Sequence, residues 1–123
     1  MLLPGSPLPA GHYDKEMPNT EVQHCPVEEA IKIIGGKWKL LVLRSLLLNG
    51  PQRYNELLRS VTSISQKELT RNLRELTAAG LVAQDPGASR LTPYQLTKPG
   101  KGLMPVFKKL LTWGQKRMNT LQP

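Results

Sequence analysis

Cysteine is nearly missing from this 123-residue chain: Cys25 stands alone, so no disulfide can form within it. A reducing compartment suits such a chain. Histidine is scarce as well. His12 and His24 both precede or border the first periodic segment. Two histidines and one cysteine make no zinc-ligand pattern, and spacing supports no Ser-His-Asp or Cys-His set. The segment GKGLMP lacks the third glycine and the strand-helix-strand setting of a dinucleotide loop. The chain is therefore expected to be no enzyme and to need no metal or cofactor. Long apolar runs are lacking too. The longest, LLVLRSLLL, is interrupted by Arg44 and is too short to span a bilayer. The start MLLPGSPLPAGHYDKEMPNT has no basic lead, and prolines break its apolar residues, which makes a poor secretory signal. A soluble, cytoplasmic protein without a membrane partner is the expectation.

Aromatic residues make up only 5% of the chain, so a core must come from Leu, Ile and Val. Acidic residues are also few: 9 against 17 Lys and Arg, for a net charge of +8. The imbalance is local. Residues 1–36 hold two cations against five acids, whereas residues 37–123 hold fifteen against four. A basic body behind an acidic leader points to a polyanionic partner, most simply nucleic acid.

Residues 1–22 are rich in Pro and Gly without periodicity and read as a flexible arm; a single domain is expected over 23–121. Pro26 suits a helix start, Val27, Ala30, Ile31 and Ile34 follow at helical spacing, and Gly35-Gly36 ends the segment. A second helix is expected from about Lys37 to Leu48, apolar nearly all round and hence central. RYNELLRSV reads as a short third helix with Asn55 as its cap. LVAQD, PGAS and LTPYQLT read as a hairpin in which Pro93 is awkward. A last helix is expected from about Lys98 to Leu121, capped by Thr97. Its apolar residues exceed what one small domain can cover, so a second subunit is the simplest cover.

The stretch SISQKELTRNLRELTAAGLV carries the functional signal. Ser65 and Glu68 form an S-x-x-E start, and Gly80 is the stop. Leu69, Leu73 and Leu76 share one face. Lys67, Thr70, Arg71 and Arg74 lie toward the opposite pole. A short helix, a turn, a basic helix on an apolar base and then a hairpin make a winged helix-turn-helix, mainly α with a small β wing. A major groove about 12 Å wide accepts one such helix. Lys67, Arg71 and Arg74 reach phosphates or guanine edges. Gln66 and Thr70 suit bases or backbone, and Ser65 suits phosphate. Arg53 and Lys37 are candidate phosphate clamps, and Arg90 is the wing's one cation. A solvated basic surface helix is the plainer reading of the same face, and Glu68 and Glu75 dilute it.

Residues 25 to about 118 resemble the HxlR-type winged-helix transcriptional regulators of bacteria, on the pieces CPVEEAIKIIGGKWKLLVLRSL, RYNELLRSV, ISQKELTRNLRELTAAGLV and YQLTKPGKGLMPVFKKLLTWG. The resemblance implies a homodimer on pseudo-palindromic double-stranded operator DNA, nucleoid-associated when bound, with recognition helix 65–79. It implies a dimer interface from the terminal helices, here Val27, Ile31, Ile34, Leu103, Phe107, Leu111 and Trp113. It also implies a candidate redox switch at Cys25, beside the plainer reading of a packed small hydrophobe, and it leaves open an effector of unknown chemistry. The wing departs from the pattern: Thr92-Pro93 replace a Val-Glu, and Ala83 and Gln84 stand where arginines are common. The alternative function is a winged helix that binds an acidic protein without binding DNA.

Overall fold

A computed structural model describes residues 25–121; the arm expected over 1–22 lies outside the described residues. The chain divides after Lys32 into two units. The described part of the first is residues 25–32, which carry most of helix α1 (Pro26–Ile34). The second unit holds α2 (Lys39–Asn49), α3 (Tyr54–Ser60), α4 (Gln66–Ala78), β1 (Val82–Ala83), β2 (Gln95–Leu96), α5 (Lys98–Lys101) and α6 (Met104–Leu121). The order helix, helix, short helix, helix, hairpin is the winged-helix order expected, and the single last helix expected after it is divided in two.

The core is aliphatic apart from Tyr54, as the shortage of aromatics required. Val42, Leu43 and Leu46 of α2 meet Leu57 of α3 and Leu69, Leu73 and Leu76 of α4, closed by Val61, Ile64, Leu81, Val82 and Leu96. Each such side chain contributes on the order of 1.5–3 kcal/mol by leaving water. Helix α2 is buried on its middle turns, which fits its nearly continuous apolar sequence. It starts at Lys39, two residues later than expected. Gly36 adopts φ +95°, a left-handed turn that Gly tolerates, and the chain needs Lys37 and Trp38 to come out of it.

Helix α3 starts earlier than expected, at Tyr54, with Arg53 rather than Asn55 at the cap position. The Glu56 carboxylate accepts from the Arg53 backbone N–H at 2.7 Å, which does the work a short polar cap side chain would do. Helix α4 behaves as its sequence says. Ser65 Oγ accepts from Glu68 N at 3.1 Å, and Gly80, at φ +81°, ends the helix while Leu81 N donates to Leu76 O at 3.0 Å.

The hairpin is shorter than expected. Its ladder is only Val82 with Leu96 and Ala83 with Gln95, antiparallel. Pro93 has no N–H to offer a ladder, and the next residue pairs elsewhere: Tyr94 and Gln52 exchange backbone hydrogen bonds of 2.7 and 3.0 Å. Gln52 is buried and is the hub of a polar ring. Its amide donates to Ser45 Oγ at 2.9 Å, its carbonyl accepts from Ser60 Oγ at 3.0 Å, and the two serine hydroxyls lie 2.7 Å apart. The base of the wing is thus tied to α2 and α3.

The last helix is two helices. Thr97 caps the first as expected, accepting from Gly100 N at 3.2 Å. Leu103 N then bonds to Gly100 O in a tighter turn. Pro105, which lacks the N–H that a continuous helix would pair with Lys101 O, makes α6 a fresh start. Leu103 and Phe107 pack on the core. Beyond them α6 leaves Leu110, Leu111, Trp113 and Met118 exposed.

Candidate nucleic-acid interface

Leu69, Leu73 and Leu76 are 0–2% exposed and fix the rotation of α4. With that rotation fixed, Ser65, Gln66, Lys67, Thr70, Arg71 and Arg74 are all exposed. Gln66, Lys67, Thr70, Arg71 and Arg74 line an open groove of about 470 Å³, which Tyr54 floors and Arg90 of the wing closes. The structure therefore brings six of the nine expected DNA-facing residues onto one groove, with Ser65 at the helix start beside it.

The cations are not equivalent. Arg71 is hydrogen-bonded to the Glu68 carboxylate one turn back, so part of its charge is already met. Lys67 and Arg74 form no ion pair among the described residues. Arg90 stacks its guanidinium over the Tyr54 ring, 4.3 Å from the centroid. The expected clamps lie off the groove's lining. Arg53 is exposed at the α3 cap. Lys37 rests its ammonium 4.6 Å over Trp38. Lys39, which shares the start of α2, instead binds Glu75 on α4 at 2.8 Å and joins those two helices.

That ion pair has a pH signature. The Lys39 hydrogen bond holds the Glu75 carboxyl below its usual range, against a smaller opposing effect of desolvation. A carboxylate with a lowered folded value contributes stability above its ordinary value, near 4.3, and loses it as pH falls through the folded value. In thermal melts between pH 2.5 and 6, Glu75→Gln should therefore shallow the acid decline, while near neutrality it loses the pair. Identical acid limbs in the two proteins would contradict this role for Glu75.

The sequence did not disclose Tyr54 as part of the site. It is 5% exposed. Its hydroxyl donates to Gln66 O at 3.1 Å and lies 2.8 Å from Thr70 Oγ1, so one aromatic ring touches the recognition helix from below while carrying Arg90 above. Tyr94 lies beside it, its phenol pushed up by burial and by Tyr54, with Arg90 opposing. Gln84 is used structurally: its amide donates to Ser89 O at 3.2 Å and Thr92 O at 3.0 Å, bracing the wing.

The residues expected at a dimer interface divide. Ile34, Leu103 and Phe107 pack against the core of their own chain. Val27, Ile31, Leu111 and Trp113 are 59–68% exposed. On α6, Val106, Leu110 and Trp113, flanked by Lys109 and Lys116, border an open apolar trough of about 820 Å³. Cys25 is half-buried just ahead of α1. No helix among the described residues is long and apolar enough to cross a membrane.

The proteins this chain is similar to include transcriptional regulators. The HxlR-like helix-turn-helix family matches residues 33–122. An uncharacterized HTH-type transcriptional regulator of Methanothermobacter thermautotrophicus is 42% identical over 93 residues, covering 74% of this chain and 70% of the relative. Among solved structures, the redox regulator HypR in its reduced form superposes with a TM-score of 0.68 at 35% identity, over 79% of this chain and 97% of that one. Quinone-bound YodB from Bacillus subtilis gives 0.65 at 31% identity, over 75% and 99%. A family match over residues 33–122, most of the chain, with a relative 42% identical over 93 residues, places the protein in the HxlR-like helix-turn-helix family.

Proposed function

We propose that this protein is a cytoplasmic, dimeric, sequence-specific DNA-binding transcriptional regulator, nucleoid-associated when bound. The observation that carries the reading is the groove of α4: Lys67, Thr70, Arg71 and Arg74 exposed on a helix whose opposite face is locked into the core. The DNA-binding domain is the segment over 23–121. Helix α4 enters the major groove, and Ser65, Arg53 and Lys37 meet phosphates on its flanks. Two copies joined through α1 and the apolar trough of α6 present two such helices to groove segments about 34–36 Å apart on pseudo-palindromic DNA. The trough supports that pairing, since exposed Trp113, Leu110 and Leu111 gain by leaving water.

Sedimentation should give twice 13.7 kDa. A gel shift with DNA selected from fragmented genome should show a specific complex. With roughly six to eight phosphate contacts per dimer, log K against log salt should slope near −5 to −7. Absence of a specific complex in both reducing and oxidising buffer would favour the protein-binding alternative.

A second reading concerns control. HypR is described as a redox regulator, and here the chain's single cysteine sits half-buried at the start of α1. A redox response at Cys25 would proceed by bridging to its copy or by a small-thiol adduct. Mild diamide should then change operator affinity in the wild type and leave Cys25→Ser untouched; equal responses would eliminate the switch and leave Cys25 as a packing residue.

A further inference from the structure

Thr70 is exposed on the groove side of α4, but its hydroxyl is already engaged. Tyr54 Oη lies 3.1 Å from Gln66 O and 2.8 Å from Thr70 Oγ1. A carbonyl oxygen can only accept, so the single phenolic proton goes to Gln66 O. Satisfying both contacts at once takes the proton between the two hydroxyls from Thr70. Thr70 lines the groove, so what its hydroxyl can offer there is a lone pair and no proton.

We infer that Tyr54 makes Thr70 an acceptor-only reader of one base in the operator. The inference rests on the DNA-binding function proposed above and adds the rule by which one position is chosen. In the major groove, adenine N6 and cytosine N4 carry donors, whereas guanine O6 and N7 and thymine O4 only accept. An acceptor-only hydroxyl therefore selects adenine or cytosine on the strand it faces. Phosphate oxygens, which also only accept, receive nothing from it. Thr70 thus discriminates among bases and adds nothing to non-specific affinity. Tyr54 acts through Thr70 and is a positioning residue. Its ring also carries Arg90, 4.3 Å from the centroid, and that contact does not need the hydroxyl. Tyr54→Phe therefore keeps the ring and Arg90's seat and returns the proton to Thr70.

The test is selection of duplexes from a randomised pool by full-length wild type, Tyr54→Phe, Thr70→Val and Thr70→Ser, with base preference read at every position. Wild type should favour adenine or cytosine over guanine or thymine by about fivefold at one position per half-site, the size of one net hydrogen bond. Thr70→Val should abolish that amine preference, and Thr70→Ser should keep it. Tyr54→Phe should erode it by admitting guanine and thymine, leaving the other positions as in wild type. The inference is overturned if Thr70→Val changes a position that prefers guanine, or changes none. It is equally overturned if a folded Tyr54→Phe keeps the full wild-type preference. Should Tyr54→Phe not fold, the Val and Ser variants still decide which base Thr70 selects. A wild type that enriches no sequence at all defeats the DNA-binding function itself, a result separable from the others before any variant is compared.

Discussion

Gly100→Ala should lower the melting temperature even though it places a better helix former in a helix. Propensity alone predicts a gain of up to about 1 kcal/mol. The site decides otherwise. A Cβ at Gly100 would sit 2.3 Å from Leu81 O and 3.2 Å from Leu96 Cδ2. Leu81 O cannot withdraw freely, because it accepts from Thr97 N at 3.0 Å, and Thr97 Oγ1 donates to Gly80 O at 2.6 Å. The end of α4, the start of the wing and the cap of α5 are joined at this point. Relief requires α5 to move off, taking α6 with it. Overpacking of this kind costs about 1–3 kcal/mol, a fall of roughly 4–8 °C for each kcal/mol in a domain this size. An unchanged or raised melting temperature would show that the junction yields without cost. Because α6 also carries the proposed dimer trough, residual folded protein should pair less well.

Arg74→Ala should weaken operator binding more than Arg71→Ala. Both lie on the groove, but Arg71 is held by Glu68, and that pair must be surrendered before its charge reaches DNA. Arg74 has no ion pair to give up among the described residues. A base-reading arginine is worth on the order of 1–3 kcal/mol, so loss of two copies in a dimer should cost about 2–6 kcal/mol, at least roughly 30-fold in affinity at fixed salt. The manner of loss identifies the contact. If Arg74 reads a base, the preference at that position relaxes. If it meets phosphate, all sequences weaken alike and the salt slope falls by about 2 per dimer. An Arg74→Ala protein that binds as tightly as wild type would remove Arg74 from the interface.

What could be read in advance followed the range of the interactions involved. Helix α4 was legible because its signals are local: a serine three residues before a glutamate, leucines at helical spacing, and a glycine at the stop. The α3 cap falls at Arg53, before the Asn55 that sequence preference favours, because a carboxylate reaches back to Arg53 N, which a preference for short polar caps does not anticipate. The wing is shorter than its sequence suggests because Tyr94 pairs with Gln52, a partner 42 positions away, instead of extending the hairpin. The break in the last helix could have been found from Pro105 and the two glycines at 100 and 102. Tyr54 was beyond reach. Its place under Thr70 and Arg90 depends on how α3, α4 and the wing meet, and no spacing rule records that.

The Ser45–Gln52–Ser60 ring has its own consequence. Ser60 gives its proton to Gln52, so Ser45 must give its own to Ser60, and the circuit closes in one direction only. Alanine at both serines with methionine at Gln52, apolar groups of similar bulk, would pack there tolerably and leave stability nearly untouched. They would also let α2 and α3 rock against each other, as a keyed joint does when the key is filed round. A protein so altered would melt normally and still lose its aim on the double helix.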